Sequence, residues 1–234
     1  MIYSSLNHSD SHEVRGIFLD MSKAFDKVWH EGLLHKLKTF GISNNIYFVL
    51  KSFLSNRLQR VTLNGLNSDW RNLKAGVPQG SILGPLLFLI YVNDLPQGLK
   101  STVKLFADDV SLFSIVDNNP LHSANILNDD LETINRWSNN WKMSFNPDPT
   151  KQATEVLFSH KRKDIVHPEL LFNGSKVSRA SSQKHLGMVL DEKLTFHEHL
   201  SIKLSKARKS IGILRKLSYL IPRVSLVTIY RGRQ

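Results

Sequence analysis

The sequence predicts an α+β fold, in which short strands and amphipathic helices share one hydrophobic core. Three observations support this class. Short runs rich in β-branched and aromatic residues recur along the chain, as strands do. Longer stretches between them carry apolar residues at helical spacing. The chain then closes with a basic amphipathic helix, predicted at about residues 197–220.

The first half alternates strand and helix signals. Its predicted elements are a strand at Val14–Asp20, helices at His30–Phe40 and Asn44–Leu54, and a strand at Arg57–Leu63. Gly41 occupies the usual C-terminal glycine position of the first helix, and Ser43 is a plausible N-cap of the second. Asn64-Gly65 is a turn signal.

The second half begins with an apolar segment, Ile82–Asp94, which is either a buried helix or an extended core segment. The remaining predicted elements are strands at Val103–Ala107 and Val110–Val116, a helix at Pro120–Met143, strands at Thr154–Ser159, Leu170–Phe172 and His185–Leu190, and the basic helix at His197–Leu220. Asp108 and Asp109 lie between two strands, where a hairpin turn is expected. In a turn, both carboxylates can leave the sheet at one edge.

Composition excludes several kinds of site. The 234 residues include no cysteine, which rules out disulfides, thiolate zinc sites and cysteine nucleophiles. The longest apolar run, Ile82–Val92, is interrupted by Gly84 and Pro85 and is shorter than the roughly 18 residues of a membrane span. No signal peptide is recognisable. We therefore expect an intracellular protein of the nucleus or cytoplasm that does not bind membranes.

The positive charge is concentrated at the C-terminal end. All of the net charge of +11 lies after residue 150, and the residues from Leu200 onward include nine basic side chains and no acidic one. These are Lys203, Lys206, Arg208, Lys209, Arg215, Lys216, Arg223, Arg231 and Arg233. A segment of one sign favours a polyanion such as nucleic acid, although a solvated helix face would have a similar composition.

Three carboxylates end apolar strands. Asp20 follows one strand, and Asp108 and Asp109 adjoin two others. Carboxylates of this kind, brought side by side, form a hard oxygen site that suits Mg²⁺. Two such ions would stabilise the attacking and leaving oxygens of a phosphoryl transfer. The alternative is that each aspartate only stabilises a turn.

Three motifs, in this order, carry a family resemblance. They are the Phe18–Val28 segment FLDMSKAFDKV, the Gly76–Pro85 segment GVPQGSILGP, and Phe106–Asp109, FADD. They resemble the first three palm motifs of reverse transcriptases, and most of all those of non-LTR retrotransposons. Trp141–Pro147 and His185–Gly187 extend the resemblance over nearly the whole chain. It implies a polymerase palm, an antiparallel sheet backed by helices, and RNA-directed DNA synthesis.

The resemblance implies a metal-binding role for four residues. Asp20 and Asp108 would ligate two Mg²⁺ ions, or Mn²⁺ in their place, with Asp109 as the third carboxylate. The backbone carbonyl of Met21 would be a further ligand. Asp26 is better interpreted as a local hydrogen-bond acceptor than as a metal ligand.

The resemblance also implies contacts with the incoming dNTP. Phe25 matches an aromatic steric gate, which favours dNTPs because its ring would clash with a ribose 2′-OH. Backbone amides of Lys23 and Ala24 would follow the triphosphate. Gln79 and Gly80 would border the nucleotide and the templating base. Lys151 is a candidate general acid near the leaving pyrophosphate, but its segment is longer than the compact Asn-Pro-x-Lys-Thr form common in relatives, and a solvated lysine is the alternative.

The resemblance further implies domains and partners. Residues 1–195 would form the palm, with the fingers truncated, and residues 196–234 a partial, helical, basic thumb. The partners would be an RNA template, a DNA primer and dNTPs, with the RNA/DNA duplex gripped by residues 200–234. His185–Gly187 would belong to the hairpin that holds the primer 3′ end.

Two other interpretations remain open. A viral RNA-dependent RNA polymerase is disfavoured by Phe25 and by the Ala-Asp-Asp sequence at residues 107–109. A group II intron maturase would carry an RNA-binding splicing domain that these residues do not contain. The alternative outside enzymes is an inactive or co-opted retroelement remnant that binds nucleic acid through its basic C-terminal region.

Overall fold

The structure is a computed structural model that describes residues 13–116, 119–161 and 166–231. The chain forms two compact units, which divide between Ser181 and Ser182. The boundary between palm and thumb that the sequence predicts, after residue 195, lies 14 residues further along the chain. Of the nine basic residues from Leu200 onward, Arg233 lies outside the described residues, as do the side chains of Arg223 and Arg231.

The first unit is a mixture of helices and strands, as expected for an α+β fold. Its helices are α1 (His30–Thr39), α2 (Asn44–Leu54), α3 (Leu83–Val92), α4 (Pro120–Asn140) and α5 (Pro149–Gln152), with a 3-10 helix at Ala24–Asp26. Its strands are β1 (Glu13–Asp20), β2 (Leu58–Gln59), β3 (Thr62–Leu63), β4 (Leu66–Asn67), β5 (Arg71–Asn72), β6 (Thr102–Phe106), β7 (Asp109–Val116), β8 (Ala153–Phe158), β9 (Leu171–Phe172), β10 (Ser175–Lys176) and β11 (Ser178–Arg179).

The main sheet has five strands in the order β11-β8-β1-β7-β6. β1 pairs antiparallel with both β7 and β8, while β11 runs parallel to β8. Seven of the eight residues of β1 are buried, and only Asp20 is exposed. β1 is therefore the buried central strand of the sheet, and it ends in an exposed carboxylate.

The two faces of the sheet have different coverings. Ile17 and Leu19 of β1 belong to a hydrophobic cluster with buried residues of α1, α3 and α4. Alternate residues of a strand point to opposite faces, so Phe18 and Asp20 lie on the other face. There Gly16 is required because a Cβ would lie 2.8 Å from the Phe158 ring.

A buried lysine joins the helices behind the sheet. Lys36 of α1 donates to the carbonyl of Tyr91 and to the carboxylate of Asp94, and its ammonium lies 3.7 Å from the Trp141 ring centroid. Trp137 Nε1 donates to the same Asp94 carboxylate at 2.9 Å. Burial lowers the pKa of Lys36, and hydrogen bonding and charge attraction from Asp94 oppose that shift. Trp137 and Trp141 thus line a polar cage around the Lys36 ammonium.

The structure corrects several local predictions. Ser43 makes no side-chain capping hydrogen bond. The apolar segment after residue 82 is a helix but is not buried on all sides, since Ile82 is 95% exposed and Leu86 and Leu89 are half exposed. The helix from Pro120 ends at Asn140, three residues early. Beyond that point the backbone bonds to the end of β1 instead, through Asn146 N–H to the Asp20 carbonyl and Ser22 N–H to the Ser144 carbonyl.

The predicted strand at Arg57–Leu63 is two short strands in an exposed β-ribbon. β2 pairs with β5 and β3 pairs with β4. The Asn64-Gly65 turn is confirmed, because both residues have positive φ (51° and 80°), as a type I′ hairpin turn requires. An interruption between the pairs divides the predicted strand.

The second unit contains β12 (Ser182–His185), β13 (Met188–Asp191), α6 (His197–Leu217) and α7 (Arg223–Arg231). The predicted single strand at His185–Leu190 is wrong, because Leu186 and Gly187 form the positive-φ turn of a hairpin between β12 and β13. No residue of α6 is buried. Within the described part of the chain, no helix is long and apolar enough to cross a bilayer.

Buried charges gather at the end of β1 away from Asp20. Arg15 Nε donates to Glu155 Oε1 at 2.6 Å, and Glu13 Oε2 lies 3.3 Å from Nε2 of His167 and 3.6 Å from Nζ of Lys161. The His167 side chain is 1% exposed. Burial lowers the pKa of His167 below its usual value, and Glu13 opposes that shift less strongly.

We expect stability to fall at mildly acidic pH because of His167. The unfolded chain binds a proton on this histidine at a higher pH than the folded chain does. The contribution of neutral His167 to the free energy of unfolding is therefore complete above about pH 6.5 and is lost as the pH falls toward the lowered pKa. His167→Gln should flatten the decline in urea midpoint between pH 7.5 and pH 5.5. The exposed His122→Gln is the control, and an unchanged decline in His167→Gln would contradict the assignment.

Candidate active site

Strand register brings two aspartates opposite each other. Asp20, the last residue of β1, pairs with Asp109, the first residue of β7. Cross-strand partners lie on the same face of a sheet, so both carboxylates leave the face opposite the helices. The exposed Phe106 of β6, which also pairs with Asp109, shares this face.

The third aspartate occupies the adjoining hairpin turn. Phe106 pairs with Asp109, so Ala107 and Asp108 form a two-residue loop. Only Ala107 has a positive φ (52°), the pattern of a type II′ turn. The prediction that both aspartates lie in the turn is wrong for Asp109, which pairs as a strand residue because β1 extends to meet it.

These three carboxylates are all exposed. Like charges repel, and in the described residues no group of three acidic or histidine side chains converges into a preformed metal site. The donor chemistry nevertheless fits a hard divalent cation, because exposed carboxylate oxygens at one sheet edge can close on an ion that neutralises them.

Met21 has an available backbone carbonyl. Residues 21 and 145 form an isolated antiparallel bridge, whose hydrogen bonds run from Asn146 N–H to Asp20 O and from Ser22 N–H to Ser144 O, both at 2.9 Å. Neither bond uses the carbonyl oxygen of Met21. This oxygen therefore fits the ligand role that the resemblance implies, although the Met21 residue itself is buried.

The residues after β1 turn sharply into the 3-10 helix. Lys23 is exposed and has left-handed backbone geometry, with φ 50° and ψ 48°. Its carbonyl accepts from the N–H groups of Asp26 and Lys27. Within the described hydrogen bonds, the N–H groups of Ala24 and Phe25 remain without an acceptor, as is usual at a helix start.

Phe25 is half-buried and stacked. Its ring lies 4.5 Å from the Phe88 ring, centroid to centroid, at an interplanar angle of 23°. Its carbonyl accepts from Val77 N–H at 2.8 Å. Stacking on Phe88 and the hydrogen bond from Val77 therefore fix Phe25, while part of its ring stays accessible.

Gln79 and Gly80 lie in an exposed turn beside the same segment. Gln79 Nε2 donates to Asp26 Oδ1 at 3.1 Å, so Asp26 is a hydrogen-bond acceptor as predicted, but its partner lies 53 residues away and is not local. Gly80 has φ 82°, and a Cβ added there would meet nothing within 4 Å. The backbone conformation, rather than crowding within the described structure, explains the glycine.

A cleft of about 540 Å³ opens beside this turn. Its lining includes the predicted site residues Lys23 and Gln79 and also Arg57 and Gln59 from the start of the β-ribbon. The Arg57 guanidinium lies 5.4 Å from the Phe53 ring centroid. Sequence reasoning missed Arg57 and Gln59, since a short exposed ribbon carries no motif.

Among the described ion pairs, none joins Lys151 to Asp20, Asp108 or Asp109. Lys151 lies on the short helix α5, and its ammonium makes an exposed ion pair with Asp148 at 3.1 Å. Hydrogen bonds from Thr150 and Lys151 lower the pKa of Asp148. The general-acid role of Lys151 thus remains a prediction.

Asn146 makes a further contact that sequence reasoning missed. Its side-chain Nδ2 donates to Asp20 Oδ2 at 2.7 Å. The signal was present in the Trp141–Pro147 motif, but nothing in a single sequence indicates that this asparagine reaches a residue 126 positions earlier.

Comparison with known proteins gives one family. Residues 4–191 match the family model described as reverse transcriptase (RNA-dependent DNA polymerase). The chain is 32% identical to the RNA-directed DNA polymerase from mobile element jockey of Drosophila melanogaster over an alignment 231 residues long, which covers 93% of this chain and 24% of that protein. The corresponding jockey protein of Drosophila funebris is 33% identical over an alignment 192 residues long, which covers 79% of this chain and 20% of the relative.

A more distant relative belongs to another element. The chain is 25% identical over 231 residues to the retrovirus-related Pol polyprotein from type-1 retrotransposable element R1 of Bradysia coprophila, covering 96% of this chain and 22% of that protein. The chain thus spans about a quarter of the length of the curated relatives that it matches.

Among solved structures, the apo telomerase from Candida tropicalis is similar in fold. The match has a TM-score of 0.54 at 14% identity and covers 83% of this chain and 37% of the telomerase chain. At this identity the likeness concerns the fold alone, and it agrees with a palm-like arrangement of sheet and helices.

We expect Gly84→Ala to destabilise the turn that carries Gln79 and Gly80. A Cβ at Gly84 would lie 2.4 Å from the Pro78 carbonyl oxygen, and Gly84 N–H and Ser81 Oγ bond within the same turn. Overpacking of this kind costs about 1 to 3 kcal/mol of unfolding free energy. Urea unfolding followed by circular dichroism measures it.

The matched control is Gly212→Ala on α6. A Cβ there meets nothing within 4 Å, and alanine favours a helix over glycine by about 1 kcal/mol. This variant should therefore lose no stability. Equal stability of Gly84→Ala and the unmodified chain would contradict the crowding at Pro78.

Proposed function

The chain belongs to the reverse transcriptase family, in its non-LTR retrotransposon branch, and from this premise we propose that it contributes the catalytic palm of an RNA-directed DNA polymerase. The reaction joins the primer 3′ oxygen to the α-phosphorus of a dNTP and breaks that phosphorus's bond to the pyrophosphate leaving group. The observation that carries the proposal is the register of β1 and β7, which sets Asp20 opposite Asp109 beside the Asp108 turn.

The carboxylates and one carbonyl supply the metal ligands. Asp20 and Asp108 would hold the ions, Asp109 would add negative charge beside them, and the unused Met21 carbonyl would complete the protein's contribution. Two Mg²⁺ ions, or Mn²⁺, bound there would stabilise the attacking and leaving oxygens of the in-line transfer. The exposed position of the carboxylates supports this role, because substrate phosphates must reach the same edge.

The turn after β1 would hold the dNTP. Unpaired N–H groups of Ala24 and Phe25, preceded by the exposed Lys23, suit the oxygens of a triphosphate. The stacked ring of Phe25 would lie under the sugar and exclude a 2′-hydroxyl. Gln79, held by Asp26, and Gly80 would border the base and its template partner.

The remaining roles rest on charge. Lys151 would approach the leaving pyrophosphate and donate a proton, which requires it to exchange its exposed Asp148 partner for a phosphate. The cations of α6 are exposed and would grip the phosphates of an RNA/DNA duplex as a thumb does. RNA template and DNA primer are the partners that this function requires.

A binding module without catalysis is the second candidate. The observation that favours it is the run of exposed cations on α6, in a segment that has no acidic residue from Leu200 onward. Such a segment binds nucleic acid through phosphates alone, and its affinity falls steeply with salt.

We expect Asp108→Ala/Asp109→Ala to abolish primer extension. The assay extends oligo(dT) on poly(rA) with dTTP and Mg²⁺ or Mn²⁺, and Asp20→Ala should behave like the double variant. Loss of a metal ligand should lower activity by more than about 10- to 100-fold, which is the usual effect of losing a group that only supports a ligand. Asp69→Ala, an exposed carboxylate on the β-ribbon, is the matched control.

The outcomes separate the two candidates. Incorporation that depends on the three aspartates and not on Asp69 supports the polymerase. Incorporation that is absent, or equal in the double variant, rejects catalysis by this chain. Retained duplex binding that weakens steeply with salt would then favour the binding module.

We expect Phe25→Ala to relax selection against ribonucleotides. Removing the ring opens space for a 2′-hydroxyl, so the ratio of rNTP to dNTP incorporation should rise at least about tenfold. A change of this size corresponds to the about 1 to 3 kcal/mol by which steric pockets discriminate. Steady-state incorporation of UTP and dTTP measures it. Phe48→Ala, an exposed aromatic on α2, should leave the ratio unchanged. A ratio unchanged in Phe25→Ala, with dTTP use intact, would exclude the steric gate.

A further inference from the structure

Asn146 holds Asp20 by two hydrogen bonds of different kinds. Its backbone N–H donates to the Asp20 carbonyl at 2.9 Å, and its side-chain Nδ2 donates to the Asp20 carboxylate at 2.7 Å. The same residue therefore fixes both where β1 ends and how its last side chain is turned.

The orientation of the Asn146 amide is itself fixed. Its Oδ1 accepts from the backbone N–H of Asp148 at 3.0 Å. An amide oxygen cannot donate, so a flipped amide would lose this bond and would face the Asp20 carboxylate with a second acceptor. Nδ2 is thus committed to Asp20.

Neighbouring contacts keep Asn146 in place. Ser144 accepts from Ser22 N–H at 2.9 Å through its carbonyl and from Lys27 Nζ through its hydroxyl. Phe145 packs edge-on against Phe172, with ring centroids 4.8 Å apart. The segment that presents Asn146 is anchored on both sides of the bridge to Met21.

The consequence concerns the free oxygen of Asp20. In the described contacts, the carboxylate is bonded through Oδ2 alone, which leaves Oδ1 for a cation. A donor on one oxygen also reduces the repulsion between Asp20 and Asp109, which are paired across the strands. Hydrogen bonds of this kind orient metal-ligating carboxylates.

We propose that Asn146 is a positioning residue that orients the Asp20 carboxylate toward a divalent metal ion. The proposal rests on the proposed function, in that it takes Asp20 to be a metal ligand. In this role Asn146 would act through Asp20 and not through a contact of its own with nucleotide or metal.

Mn²⁺ binding tests the proposal independently of polymerase activity. Free Mn²⁺ is counted by electron paramagnetic resonance during titration of the 234-residue chain and its variants. Asn146→Ala should weaken binding about 10- to 100-fold, the usual cost of losing a group that orients a ligand. Asn139→Ala, an exposed asparagine on α4, should bind as the unmodified chain does.

A double-variant cycle shows whether Asn146 acts through Asp20. In an Asp20→Asn background, adding Asn146→Ala should cause no further loss of Mn²⁺ affinity, because the group it orients is already gone. Equal additional losses in both backgrounds would overturn the proposal. A lowered Tm of Asn146→Ala, together with an Mn²⁺ affinity that returns to that of the unmodified chain on cooling, would also overturn the proposal. That result would mark a merely structural role.

The result also separates this proposal from the proposed function. Mn²⁺ binding that depends on Asn146 and Asp20, without primer extension, supports the positioning role and rejects catalysis by this chain. Primer extension with the same Mn²⁺ affinity and metal dependence in Asn146→Ala rejects the positioning role alone. A chain that binds no Mn²⁺ rejects both.

Discussion

The antiparallel register between β1 and β7 is the constraint on which the rest of the site depends. Because side chains alternate with a period of two, a slip of one residue would turn Asp20 toward the helices and Leu19 toward solvent. The buried residues of β1 make that slip costly, since Ile17 and Leu19 would leave the core. Hydrophobic packing on one face thus fixes the position of carboxylates on the other.

A second constraint acts from behind the sheet. Burying the Lys36 ammonium is costly, and the Asp94 carboxylate, the Tyr91 carbonyl and the Trp141 ring together offset that cost. Tyr91 also donates through its hydroxyl to the Trp141 carbonyl. These contacts hold the chain where it leaves α4, five residues before Asn146 reaches the site.

Local signals predicted much of this structure, and long-range pairing decided the rest. The strand ending in Asp20, the turn at Asn64-Gly65 and the helix from Asn44 follow from periodicity and turn residues that lie within a few positions. Asp109 has turn chemistry in the sequence but extends β7 because Asp20 lies opposite it. The bond from Asn146 to Asp20 depends on the folded sheet, so no window of sequence contains it.

The site needs two electrostatic solutions that work over different distances. Carboxylates at a sheet edge repel both one another and a phosphate, and only a bound cation in direct contact removes that barrier. In the proposed function a nucleic acid must also approach from solution, and exposed cations such as those of α6 would attract it over about 10 Å, the distance beyond which salt screens charges. In the proposed function, an ion in direct contact with Asp20 and Asp108 would be screened less than an exposed lysine of α6, so duplex binding is the step that salt would weaken first.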